Sequence, residues 1–145
     1  WNSLGFDVWL LWKFLDIQPK VGKGGKDYLG DKPVQFVDGY ILSMYLNPNL
    51  PKHSLEYISG GEEEEGKIDY RKSLVQAGVM SANDPKGHEF TFFNDLMVPY
   101  CDRDVEATAE AIKKLWKQAQ EMYGVDNWIH PSFRQMQNVN CKYHN

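Results

Sequence analysis

The feature that most limits the fold is a long helical period near the C-terminal end. From Val105, apolar residues return at Ile112, Leu115, Trp116, Ala119 and Met122, close to the 3.6-residue repeat of an α-helix. The signal spans Phe92 to Tyr123, with Pro99 marking a helix start or a kink and Gly124 a stop. Most other patterned segments are also helical. Residues 7–16 are apolar nearly all round (Val8, Trp9, Leu11, Trp12, Leu15), which predicts deep packing, with Asn2 or Ser3 available as a cap. Tyr40 to Leu46 has helical spacing and closes at Asn47-Pro48, and Ser54 is placed to cap a short helix stopped by Gly60-Gly61. Only Val34 to Val37 alternates like a strand, ended by Asp38 or Gly39. Residues 18–32, with four glycines and four lysines, read as a flexible turn or loop. Glu62 to Glu65 reads as a solvated acidic loop, Asn83 to Gly87 as a turn, and 125–145 as a tail with a break at Pro131 and a short helix. One strand is too few for a self-contained sheet.

Composition narrows the class. The 145 residues suffice for one domain with its own core, and neither an internal repeat nor a second domain is expected. No apolar run approaches the roughly 20 residues of a membrane span. No secretory signal opens the chain, and it starts without Met, so it reads as a piece of something longer. Two cysteines make no disulfide framework, which points to a reducing cytoplasm. A net charge of −4 argues against a protein that coats DNA by electrostatics. It is compatible with a nuclease, whose carboxylates hold metals and whose metals then meet phosphate.

The chemistry-bearing candidates sit at helix starts. Two-metal phosphodiester hydrolysis needs carboxylates from several rigid elements converging on ions roughly 3.5–4 Å apart. Asp7 opens one helix and Asp104 lies in the first turns of another. Tyr100, four residues before Asp104, shares its face one turn away and is placed to orient a water. Asp38 is a weaker acidic candidate, and Asp102 points off that face. Singly, each has an ordinary reading: a carboxylate at a helix start or a half-buried packing tyrosine. Other features read as structural. Cys141-x-x-His144 is two ligands at a chain end, Cys101 a buried thiol, and His53 and His88 loop histidines. Lys20, Lys23 and Lys26 belong to a solvated turn, and Trp9, Trp12 and Trp116 to the core rather than to a base-stacking platform.

In this order and spacing, Asn2-x-x-x-Phe6-Asp7 and Tyr100-x-x-x-Asp104 resemble the second and third exonuclease motifs of DNA polymerase proofreading domains, in the branch with four acidic residues and a tyrosine. Val37 to Pro48 resembles the strand-then-helix after the second motif in phage family A polymerases. Lys52 to Glu56 resembles the short helix that follows, and Phe93 to Met97 the approach to the third motif. The likeness covers most of 1–123. It implies an RNase H-like α/β fold, here an incomplete, helix-rich portion with about one sheet strand. Residues 1–123 would be the C-terminal part of an exonuclease domain, and 124–145 a tail or the start of a following segment.

The implied activity is metal-dependent 3′–5′ excision from single-stranded DNA 3′ ends during replication, as polymerase proofreading. By the same resemblance, Asp7 and Asp104 bind Mg²⁺ or Mn²⁺, Tyr100 positions the attacking water, and Asn2 and Phe6 shape the strand groove. The family's first motif, Asp-x-Glu on a central strand, is absent. The single Asp-x-Glu here is Asp104-Val105-Glu106, inside the third-motif helix. The metal site is therefore expected to be completed by residues not in this chain, on the remainder of a polymerase or exonuclease, and the isolated chain to be inactive. The expected setting is the cytoplasm, that of the host if the source is viral, with no membrane partner. Two alternatives remain: a non-catalytic remnant that binds single-stranded nucleic acid or docks on a polymerase, and, third, an RNA exonuclease.

Overall fold

The computed structural model describes residues 1–21, 26–60, 69–124 and 131–140. The chain is mixed α/β and helix-rich, with one small antiparallel sheet. It divides into two compact units: Trp1–His53 with Ile112–Asn145, and Ser54–Ala111.

The first unit opens with a π-type turn, Ser3–Asp7, that runs into helix α1, Val8–Leu15. Leu4 and Val8, one turn apart, point inward and join Val21, with Leu29 and Phe36 packed against them. No side chain caps this start. The deep packing expected of α1 is not found. Val8 is its one buried residue, while Trp9, Trp12, Phe14 and Leu15 are exposed. The helix ends at Asp16, whose left-handed backbone (φ 54°) an aspartate tolerates.

Next come strands β1 (Pro19–Lys20), β2 (Asp27–Leu29) and β3 (Lys32–Val34), antiparallel in the order β1-β2-β3. Pro19 faces Leu29, and Tyr28 faces Pro33. Gly30, at φ 60°, makes the β2–β3 turn, and its N–H donates to the Gln18 carbonyl over 2.8 Å. The segment read as a loop thus holds two strands, and the expected strand at Val34–Val37 ends at Val34. Pairs of two and three residues are too short to leave an alternating pattern in sequence.

Helix α2, Gly39–Leu46, buries Ile41, Leu42, Ser43 and Leu46. A Cβ on Gly39 would lie 2.6 Å from the Trp1 ring and 2.8 Å from Ile112, so only glycine fits there. Asn47 and Gln118 exchange two amide hydrogen bonds (3.0 and 2.8 Å).

The second unit holds α3 (Leu55–Gly60), α4 (Tyr70–Gln76) and a 3₁₀ turn at His88–Phe90. Ser54 Oγ accepts from the Tyr57 N–H (3.4 Å), as its capping role predicts, and Asp69 caps α4 through the Lys72 N–H (3.0 Å). Tyr70, Leu74 and Met80 form its core. Arg71 donates to the carbonyls of Ala82 and Pro85 and to Glu89, pinning the turn segment between.

Helix α5, Met97–Tyr123, has residues in both units. Pro99 sits in its first turn, where a missing N–H costs nothing. Its buried stripe is Ala107, Ala111, Leu115 and Ala119, spaced by four; Val105 and Met122, expected on that stripe, are exposed. Helix α6, Pro131–Asn140, belongs to the first unit and buries Phe133 and Gln137. Phe133 packs on Tyr45 with ring centroids 5.5 Å apart.

Candidate functional site

The sequence-predicted residues fall into two groups, one in each unit. Asn2, Phe6 and Asp7 share the opening turn of the first. Leu4 and Val8 point inward, which leaves Asn2, Phe6 and Asp7 exposed to solvent. The Asp7 carboxylate lies 3.7 Å from the Trp1 amino nitrogen. The Asn2 carbonyl accepts the Phe6 N–H at 2.9 Å, and its side chain lies over Gly5, where any Cβ would collide with it.

This turn is held by Asp38. Its Oδ2 accepts the Leu4 N–H (2.8 Å) and the Ser3 hydroxyl (3.5 Å). Its Oδ1 accepts the N–H groups of Tyr40 (3.0 Å) and Ile41 (3.2 Å), capping α2. Asp38 is fully buried, and burial raises its pKa above the ordinary value, against the pull of the N–H donors of Leu4, Ile41 and Tyr40. Both oxygens are committed to these donors, so Asp38 serves the turn that carries Asp7 and is not an open acidic ligand. Its own N–H donates to Gln137 Oε1 (2.9 Å), while Gln137 Nε2 donates to the Phe36 carbonyl (2.8 Å). The Gln137 amide thereby pairs with the 36–38 backbone as a neighbouring strand would.

Tyr100 and Asp104 lie one turn apart near the start of α5, both half-buried, while Cys101 and Asp102 between them are exposed. Cys101 is therefore not the buried thiol expected. Tyr100 stacks on Tyr70, with centroids 4.7 Å apart and planes 27° apart, and Phe90 flanks it at 6.4 Å. Asn94 Nδ2 donates to the Tyr70 hydroxyl at 2.7 Å. The Thr108 hydroxyl donates to the Asp104 carbonyl (2.8 Å), and Oδ1 of Asp104 is buried.

Sequence reasoning took Asp38 for a weak acidic candidate rather than a support, and missed Tyr70 and Asn94. Only Asp38 carried a usable signal, an aspartate directly before a helical period. Of the remaining candidates, His53 Nδ1 lies 2.8 Å from Ser43 Oγ, and its carbonyl accepts the Trp1 indole N–H (3.0 Å). Trp9 and Trp12, expected in the core, are exposed, and the Lys13 ammonium lies 4.7 Å from the Trp9 ring centroid. Lys23, Glu62–Glu65, Cys141 and His144 lie outside the described residues.

Among the described residues, no three His, Cys, Asp or Glu side chains group to hold a metal ion, and no helix is long and apolar enough to cross a membrane. No protein-family model, curated protein or solved structure matches the chain.

Proposed function

We propose that this chain is part of an RNase H-like 3′–5′ exonuclease domain of a phage-like family A DNA polymerase, editing single-stranded DNA 3′ ends. The observation that carries this reading is the Tyr100–Asp104 pair. A tyrosine locked in an aromatic stack stands one helical turn from a half-buried carboxylate, with exposed residues between them. The exposed Asp7 on a braced turn supplies a second carboxylate.

Asp7 and Asp104 offer hard oxygen donors of the type Mg²⁺ and Mn²⁺ prefer. Asp7 belongs to the first unit and Asp104 to the second, and in this reading each contributes one carboxylate to a metal site whose other carboxylates come from the remainder of the domain. Held by such carboxylates, divalent ions would supply the positive charge that lowers the pKa of a water and offsets charge on a leaving oxygen. Tyr100 holds the water through its hydroxyl and orients it toward the terminal phosphodiester. Phe6 offers a ring face to the terminal base, and Asn2 a polar contact to the strand.

The test is Asp104→Ala in the form that carries all four carboxylates, assayed on a 5′-labelled single-stranded oligonucleotide with Mn²⁺. Excision should disappear while the variant still unfolds in one cooperative transition with an unchanged far-UV circular dichroism spectrum. Undiminished excision would sink the assignment. The exposed Trp9 and Trp12 beside Lys13 favour a second reading, non-catalytic binding of single strands. That reading is the better one if the four-carboxylate form leaves the oligonucleotide uncut while its tryptophan fluorescence is quenched.

A further inference from the structure

Resting on the exonuclease reading of Tyr100, we propose that Tyr70 is the positioning residue for that tyrosine. Through ring stacking, it fixes the plane, and hence the direction, of the Tyr100 hydroxyl.

A tyrosine that orients water must point its hydroxyl one way. Its backbone does not ensure this, because χ1, which places the oxygen, has alternative wells, and χ2, which sets the ring plane that the O–H bond shares, is broad. Something must bear on the ring face. Tyr70 does so at 4.7 Å and 27°, within the range of offset stacking. The contact is itself anchored. Tyr70 is 4% exposed, on the first turn of α4, beside Leu74 and Met80. The Asn94 side chain grips the Tyr70 hydroxyl at 2.7 Å, and its Oδ1 accepts the Leu96 N–H at 3.0 Å. The Asn94 carbonyl accepts the Met97 N–H at 3.1 Å, where α5 begins. Asn94 thus ties the ring that supports Tyr100 to the start of the helix that carries it. The whole assembly lies in the second unit and spans residues 70–100.

The arrangement separates two roles of Tyr70. The hydroxyl serves the Asn94 tie and the ring serves Tyr100. Tyr70→Phe keeps the ring, and Tyr70→Leu keeps apolar volume but removes it. In the 145-residue chain with ring-¹³C tyrosine, the Tyr100 ring protons should carry an upfield ring-current shift. Tyr70→Phe should preserve it and Tyr70→Leu should remove most of it, leaving the smaller part due to Phe90. In the four-carboxylate form, Tyr70→Phe should excise at near the wild-type kcat. Tyr70→Leu should lose about ten- to a hundredfold in kcat per folded molecule, with KM within about twofold.

A merely structural Tyr70 would instead lower the melting temperature and the active fraction, leaving kcat per folded molecule unchanged. That result, with Tyr100→Phe slow, overturns the positioning role alone. A Tyr100 shift unaltered in Tyr70→Leu also overturns it, whatever the excision rates. Tyr100→Phe as fast as wild type removes the exonuclease role of Tyr100 and this proposal with it.

Discussion

Asp38 shows how much one buried side chain can organise. Its two oxygens serve two segments 34 residues apart, and removing them leaves the buried Leu4 and Ile41 N–H groups and that of Tyr40 without this acceptor. Asp38→Ala should therefore cost about 2–4 kcal/mol, read from urea unfolding. Its pH dependence has a definite sign. Burial raises the folded pKa above 3.8, so the folded chain holds the proton more tightly than the unfolded chain. The associated stability is complete below the unfolded value and is lost as pH rises through the folded one. Against Asp38→Asn as a non-titrating control, the wild-type melting temperature should fall relative to the variant as pH rises from about 4. A wild-type melting temperature that rises relative to the variant over that range would contradict the assignment. Asp7, Tyr100 and Asp104 stood out in the sequence by residue type and spacing. The reach of their supports did not, because Asp38 and Tyr70 act across 34 and 30 residues, and local pattern showed at most that an aspartate precedes α2.

Among the elements, long helices announced themselves and short strands did not. The period from Val105 located α5, but the face it buries is set by Ala107, Ala111 and Ala119 around Leu115 rather than by the larger apolar residues. Small side chains permit close approach, so their size matters more than their hydrophobicity. Ala119→Leu should destabilise by about 1–3 kcal/mol, whereas Met122→Ala, on an exposed side chain, should stay within about 0.5 kcal/mol. Equal effects in chemical denaturation would argue against this burial pattern. Helix α1 failed the expectation in the opposite sense. Its apolar residues are numerous, but a helix of eight residues following a π-type turn turns only Val8 fully inward. The glycine- and lysine-rich segment hid β1 and β2 because backbone pairing, not side-chain alternation, makes them strands.

At the scale of the molecule, the division into two compact units matters more than the absence of a second domain in the sequence pattern. The second unit is one continuous stretch, Ser54–Ala111, and the first is assembled from two. Contact density of this kind favours separate cooperative opening. Native-state hydrogen exchange should give one protection level to the amides of α4 and another to those of α2 and α6. A single level throughout would mean one cooperative body. The split also explains why the motifs were easier to see than the site. Sequence order put Asp7 and Asp104 on one list, while folding assigns them to different units. The Gln137 amide has a consequence for how such a chain is made. It fills a strand's place beside Phe36 and Asp38 from about a hundred residues downstream. During synthesis from the N-terminus, that backbone edge is available to any passing strand until α6 has emerged. Helix α6 is thus also the guard of that edge, and a nascent chain stalled before it presents an open template for aggregation.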